Sequence, residues 1–390
     1  MERTLLPAER LTEFGPNPFA ADQELLAEAI EGKRPRDLKS AVMSRCENTA
    51  GVYGFLDEHG VLIYVGKSKQ LRSRLLSYFS PKLRRRKPGR LIRQARGILW
   101  EPAPSEFAAL LRELQLIQKF RPLYNVKDQP HRGRPTYLSL GLPGVPGFFV
   151  TSTPAGDALA AFGPFWAGPK LDRAAGALNR LYGLRDCASS QPMAFSDQAE
   201  LLGSDVSPGC LRFDLGTCLG PCVAACSKTA YFRRVKSAQR FLEGESNKVI
   251  ETLAARMNRS ALDRQFELAA RHRDDLKSLE FLQRRLRRIR RIEQEFHFIY
   301  PQDSLWYLIR GGRIAGVAKP PACPQTAAIA RGSIEQIYSP ARPAVDLTSP
   351  RPDTLLLVAS WFRRNPSELA KTVSPQAALH RCRKQGSRNG

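Results

Sequence analysis

Residues 51–66 read GVYGFLDEHGVLIYVG. Two apolar, β-prone runs flank DEHG, whose glycine signals a turn, so the stretch predicts a β-hairpin. A four-residue loop over Asp57–Gly60 pairs Leu56 with Val61. Because side chains alternate along a strand, that register sets Tyr53 opposite Tyr64 on one face. On the hairpin alone, the two tyrosines serve equally as a cross-strand pair in a core or as half of a site. The residues that follow, KSKQLRSRLLSYF, read as a helix through Leu71, Leu75 and Phe79 with Ser68 as its cap. Arg74 and Tyr78 are four apart and share a helix face.

The chain has 390 residues and a net charge of +24, and the charge is clustered. From Val61 to Trp100 there is no Asp or Glu, while basic residues run from Lys67 to Arg96. Such a surface suits a polyanion, and neutralising several phosphates with it gives strongly salt-dependent binding. The apolar fraction of 42% excludes a wholly disordered chain. No apolar run approaches the length of a bilayer span. The N-terminal residues, MERTLLPAERLTEFGPNP, carry charges where a signal peptide has an apolar segment. The expectation is a cytoplasmic protein with no membrane partner.

Downstream, GILWEPAP reads as a third strand stopped by prolines, and SEFAALLRELQLIQKF as an amphipathic helix with Ser105 at its N-cap. Leu110, Leu114 and Ile117 make the apolar stripe of that helix, and Glu113 falls within it. A carboxylate there is costly unless a cation meets it. Either an arginine pairs with it or it is the lone ligand of a divalent metal. One carboxylate rather than a cluster speaks against a two-metal nuclease.

In order along the chain, GVY at 51–53, YVG at 64–66, Arg74, Glu113 and Asn125 in RPLYN resemble the GIY-YIG nuclease signature. IYVGKSKQLRSRLLSYF and RELQLIQKFRPLYNV are more narrowly similar to the UvrC family of bacterial nucleotide excision repair. The resemblance implies hydrolysis of a DNA phosphodiester. Glu113 would hold one Mg²⁺ or Mn²⁺, and Tyr53 or Tyr64 would take a proton from the attacking water. Lys67 would place positive charge beside that tyrosine, Arg74 would neutralise charge on the phosphate, and Asn125 completes the set.

Eight cysteines occur, and Cys210, Cys218, Cys222 and Cys226 lie within 17 residues. The spacing from Cys187 through Cys210 and Cys218 to Cys222 lacks the paired CxxC pattern of zinc knuckles, and unliganded buried thiols are the alternative to metal. The segment CLRFDLGTCLGPCVAACSKTAYFRRVKSAQRFLEGES, with FGPF and LRDC upstream, also resembles UvrC. It implies a [4Fe–4S] cluster on Cys187, Cys210, Cys218 and Cys222, with Cys226 as the substitute for Cys187. LAARMNRSALDRQFELAARHRDDLKSL is similar to the UVR motif, a helical hairpin through which UvrC-type proteins dock on UvrB. In it, Phe266, Ala269 and Ala270 are placed for close helix approach and a partner contact. RRLRRIRRIEQ puts Leu286, Ile289 and Ile292 on one face and arginines elsewhere.

The expected fold class is α+β. Residues 1–45 form an N-terminal extension with a helix over AADQELLAEAIEG. Residues 46–130 form a GIY-YIG nuclease domain with a three-stranded antiparallel sheet and helices, and 131–230 a linker and cysteine-rich iron–sulfur region. Residues 231–295 form a helical region with the UVR hairpin. Residues 296–390 form a short C-terminal α/β remnant, with the hairpin SLWYLIRGGRIAGVA and a frayed basic tail from Gln376. This covers the N-terminal part of a UvrC-type chain, in the manner of the short Cho-like members but with a UVR motif. The expected activity is a single nick 3′ to a lesion in double-stranded DNA. The competing reading is a catalytically silent adaptor that docks on a UvrB-like partner or on DNA.

Overall fold

A computed structural model describes residues 11–20, 27–83, 85–128, 135–141, 145–166, 168–188, 191, 193–197, 210–302, 304–340 and 354–386. The chain divides into two compact units, residues 1–134 with 292–390, and residues 135–291.

In the first unit, β1 (Glu28–Glu31), β2 (Gly51–Leu56), β3 (Leu62–Ser68) and β4 (Gly97–Pro102) form an antiparallel sheet in the order β1-β4-β2-β3. The sheet has four strands rather than the expected three. The fourth comes from EAIE, read above as part of a helix. Its helix propensity is overridden by pairing with β4, where Ile30 faces Ile98 in the core. Of that expected helix, residues 21–26 lie outside the described residues.

One face of the sheet, with Tyr53, Phe55, Ile98 and Trp100, packs on α1 (Pro35–Arg45), α2 (Leu71–Ser77) and α3 (Lys87–Gln94). The other face, with Val52, Val65 and Leu99, packs on Ala109, Leu116 and Ile117 of α4 (Glu106–Phe120). As expected, Ser105 caps α4, its hydroxyl accepting from Ala108 N at 3.1 Å. Ser68 does not cap α2: the N-cap position falls on Gln70, and the Ser68 hydroxyl bonds the Gln70 backbone instead. The N-terminal segment is anchored in the same core, where Phe14 is buried with α4 and the sheet. A short helix, α5 (Leu123–Asp128), follows α4.

The C-terminal segment supplies the antiparallel sheet β8 (Phe298–Gln302), β9 (Leu305–Arg310) and β10 (Arg313–Ala318). As expected, β9 turns into β10 at Gly311 and Gly312, with φ of 56° and 73°, a conformation open to glycine without steric cost. Tyr300, Tyr307 and Ile309 pack with Phe107, Ala108 and Leu111 of α4 and with Val358 and Phe362 of α12 (Leu355–Arg364). Helix α4 is therefore buried on two sides, by the β1–β4 sheet and by the C-terminal sheet. As far as Gly386 the segment from Gln376 is helical rather than frayed: Pro375–Gly386 forms α14, whose Ala378 and Cys382 are buried with α11 (Pro324–Tyr338) and the sheet, and residues 387–390 lie outside the described residues. A four-residue turn of helix, α13 (Pro366–Leu369), precedes α14.

The second unit has a three-stranded sheet of β6 (Phe148–Thr151), β5 (Thr136–Leu140) and β7 (Ala160–Phe165), covered by α6 (Pro169–Tyr182). The helical part following the cysteines comprises three helices, one more than the expected hairpin accounts for. They are α8 (Lys228–Glu243), α9 (Lys248–Leu262) and α10 (Phe266–Glu295), with the one-turn helix α7 (Leu211–Asp214) upstream. The break missed in the sequence is at Gly244, whose φ of 83° stops α8. Leu286, Ile289 and Ile292 share the buried face of α10, as read. Among the described residues, no helix is long and apolar enough to cross a membrane.

Candidate active site

The hairpin forms, with a register that differs from the expected one. The Asp57 carboxylate accepts from His59 N and Val61 N at 2.9 Å each, shaping a loop one residue longer than read, so Leu56 pairs with Leu62 rather than Val61. A bulge follows, so Phe55 lies opposite Tyr64 and Tyr53 opposite Gly66. The tyrosines still share a face but meet diagonally, with ring centroids 6.2 Å apart. The glycine of YVG is required by this contact: a Cβ on Gly66 would stand 2.6 Å from the Tyr53 hydroxyl oxygen.

Helix α2 adds two groups to the same face. The Tyr53 and Tyr78 hydroxyls are 2.8 Å apart, Arg74 Nε donates to Tyr53 Oη at 3.2 Å, and the Arg74 guanidinium lies 5.2 Å from the Tyr78 ring centroid. Tyr78 was noted in the sequence only as sharing a helix face with Arg74, and its place in this network was missed. Tyr53 is fully buried, and burial, helped by the neighbouring Tyr64, pushes its phenol well above the ordinary range. Burial does the same to Tyr78. Tyr64 is only half-buried. The structure thus separates two tyrosines that the sequence left equivalent.

Lys67 is not beside the tyrosines. It pairs with Val52 on β2, a residue of the face that packs on α4, and its ammonium bonds the Glu106 carboxylate at 2.7 Å. Lys69 bonds the other oxygen of Glu106 at 2.8 Å. Burial pushes the Glu106 carboxyl up, but the two lysines outweigh it and leave it below its ordinary range. The cation against Tyr64 is Lys87, at the start of α3, its Nζ 5.0 Å from the ring centroid. In the sequence, Lys87 was one basic residue among many. Nothing in its spacing points to Tyr64, since α3 reaches the sheet through tertiary packing.

Asn125 lies at the edge of the sheet. Its Oδ1 accepts from Val65 N and its Nδ2 donates to Val65 O, both at 2.8 Å, closing the free edge of β3 as a further strand would. Both polar ends of its amide are satisfied by backbone, which makes it a positioning group for the residue next to Tyr64.

Glu113 lies at the middle of α4 and is half-buried, as are Leu110 and Leu114. The stripe read for α4 was therefore offset. The charged residue in the buried face is Arg112, 2% exposed, and its partner is Glu101 at the end of β4. Arg112 donates to Glu101 with Nε at 3.1 Å and Nη2 at 2.7 Å, to Gly15 O at 2.6 Å, to Pro16 O at 2.9 Å and to Gln115 at 2.5 Å. Burial raises the Glu101 carboxyl, and the bonds from Arg112 pull it back. With Arg112 holding the buried position, Glu113 is left at the half-exposed face of the helix. Among the described residues no group of three or more His, Cys, Asp or Glu could hold a metal ion. A lone hard carboxylate is nonetheless a fitting donor for Mg²⁺, which keeps several waters and takes its other ligands from phosphate.

The thiols of the second unit influence one another but, among the described residues, do not close into a group that could hold a metal ion. Tyr231 donates to Pro146 O at 2.8 Å and accepts from Arg185 N at 3.0 Å, while Leu219 N bonds Gly183 O at 2.8 Å, so the loops bearing Cys187 and Cys218 are tied to the end of α6. Burial raises the Cys218 thiol, with Cys210 and Cys187 near enough to add to it. The Cys222 thiol is raised by burial and by the neighbouring Cys210. Cys226 is pushed up to about 11, first by burial and then by Cys218. All eight cysteines are free thiols.

Sheet order, paired tyrosines, helix-borne arginine, α4 carboxylate and edge asparagine together define a GIY-YIG domain. Residues 49–126 match the UvrC-like GIY-YIG domain, residues 137–241 the UvrC/Cho excinuclease middle domain, and residues 247–280 the UvrB/uvrC motif. The chain carries a GIY-YIG domain of the UvrC-like type. It is 34% identical over 259 residues to the UvrABC system protein C of Idiomarina loihiensis, covering 65% of this chain and 40% of the relative. It is 31% identical over 268 residues to that of Methanosarcina acetivorans, covering 68% and 47%. The chain thus spans less than half the length of these curated relatives. A crystal structure of the GIY-YIG N-terminal endonuclease domain of UvrC from Thermotoga maritima, bound to magnesium as its catalytic divalent cation, is 35% identical. It covers 23% of this chain and 96% of that one, with a TM-score of 0.21.

Proposed function

We propose that the protein is a DNA endonuclease of nucleotide excision repair that hydrolyses one phosphodiester on the 3′ side of a lesion, acting in the cytoplasm. The observation that carries this reading is the network of Tyr53, Tyr78 and Arg74 beside a half-exposed Tyr64. A buried, hydrogen-bonded phenol pushed upward, as Tyr53 is, makes a poor base but a firm support. Tyr64 is therefore the base: its phenolate takes a proton from the attacking water, whose oxygen bonds to phosphorus. The bond from phosphorus to the leaving sugar oxygen breaks, and that oxygen is protonated from solvent. Arg74 offsets negative charge gathering on the phosphate oxygens. Glu113 would hold the divalent cation, Mg²⁺ or Mn²⁺, which supplies Lewis-acid polarisation of the phosphate when bound. Asn125 fixes the strand that carries Tyr64. Lys67, held by Glu106, presents its charge on the α4 side.

Metal-dependent nicking of lesion-bearing duplex, with and without a UvrB-type partner, tests this reading. Wild type is expected to nick once, and Tyr64→Phe to lose at least ~10²-fold in rate, the lower end for loss of an acid–base group. A wild type that binds duplex and never cuts it would instead support the silent adaptor.

A UvrB-like partner fits the turn between α9 and α10, where Leu262 is 80% and Phe266 69% exposed. Exposed apolar anchors on a hairpin are the kind of group that fills a partner's pocket. For the second unit we propose the [4Fe–4S] cluster on Cys187, Cys210, Cys218 and Cys222. Its support is the match of residues 137–241 to the UvrC/Cho middle domain and the electrostatic influence of Cys187 and Cys210 on Cys218, although these thiols do not themselves close into a metal-binding group. Iron and acid-labile sulfide in protein purified without oxygen are expected near four each per chain for one such cluster. A colourless, iron-free preparation would contradict it.

A further inference from the structure

Lys87 occupies the first position of α3, next to Arg85 and Arg86. A cation is unfavourable there, because the N-terminal end of a helix carries partial positive charge. Two groups hold it in place. Its ammonium donates to Tyr124 O at 2.9 Å and stands over the Tyr64 ring, 5.0 Å from the centroid. Tyr124 is the immediate neighbour of Asn125, which bonds both backbone groups of Val65, the residue after Tyr64. Two consecutive residues of α5 thus reach Tyr64 by separate routes: Asn125 through the strand backbone, Tyr124 through Lys87 and the ring.

We infer that Lys87 is the positioning residue of Tyr64, clamping its ring against the sheet through a cation–π contact anchored on the Tyr124 carbonyl. The inference rests on the nuclease reading above, in which Tyr64 is the base. Around Tyr64 stand the rings of Tyr53, Phe55 and Tyr78. The Phe55 ring stacks on Tyr64 at 6.1 Å with 27° between the planes, the other two rings are tilted to it, and Lys87 stands over the ring at 5.0 Å. Lys67, to which the family resemblance gave that task, is committed to Glu106.

Lys87→Met is expected to lower the single-turnover nicking rate about 10-fold, the scale of one partly desolvated cation–π contact. Duplex affinity should stay within about threefold, since one cation of a large basic surface is removed. Lys87→Arg should restore most of the rate. In a Tyr64→Phe background, Lys87→Met should cost nothing further. An undiminished effect in that background overturns the inference. So does a loss confined to affinity with a salt slope shallower by about 1, which is the signature of a plain phosphate contact. Tyrosine-selective ¹³C NMR of the full chain gives a readout free of catalysis. Lys87→Met should move the Tyr64 ring resonance, and an unmoved resonance sinks the clamp whether or not the protein cuts DNA. A wild type that fails to nick, by contrast, sinks only the nuclease reading.

Discussion

Glu113→Gln abolishes nicking, lowering the rate by about 10³-fold or more, while duplex binding stays within about threefold of wild type. Several kcal/mol of Lewis-acid stabilisation correspond to that loss. Glutamine keeps the shape and the helix propensity of glutamate but removes the charge that binds a divalent cation. The carboxylate is half-buried on α4, and the neighbouring Arg112 takes the buried position, so the change leaves the core untouched. The basic run from Lys67 to Arg96 is likewise untouched, which separates cutting from binding. Nicking rates and gel-shift affinities measured on the same preparations check this, and undiminished cutting would refute the role assigned to Glu113.

Arg112→Ala destabilises the first unit by about 3–5 kcal/mol, the usual cost of removing one partner of a buried ion pair. Glu101 would be left 3% exposed with its main cation gone, and the carbonyls of Gly15 and Pro16 would lose their donor. The double replacement Glu101→Met with Arg112→Met should recover most of the loss, because two apolar side chains leave no orphaned charge. Urea unfolding of wild type, single and double variants measures both effects. A single variant as stable as wild type, or a double variant worse than the single, would show that the pair is not the anchor of the N-terminal segment.

These two neighbours on α4 show where the sequence was legible and where it was not. A residue pattern reports one buried stripe well when a helix packs on one surface. Helix α4 is buried by two sheets, one of which arrives from residues nearly two hundred positions away, so a single stripe through Leu110, Leu114 and Ile117 misplaced the charge. The true partner of the buried arginine, Glu101, sits at the end of a strand that otherwise reads as apolar. EAIE failed for a similar reason: its local preference is helical, and only the open edge of β4 makes it a strand. Cys187, by contrast, is brought near enough to Cys218 to act on its thiol, across a gap of thirty residues that no local pattern spans.

The amino-acid sequence by itself determined the hairpin, the helix capped by Ser105, the basic run and the order of Tyr53, Tyr64, Arg74, Glu113 and Asn125 along the chain. Those features depend on local propensity, on turn chemistry and on a motif whose parts stand in order, and each is readable without knowing what packs on what. Only the tertiary structure decided which tyrosine is half-exposed, that Lys67 belongs to Glu106, and that Lys87 lies on the ring of Tyr64. Burial and cation placement are set by surfaces meeting across the fold, and an asymmetry of environment between two like residues has no signature in their spacing.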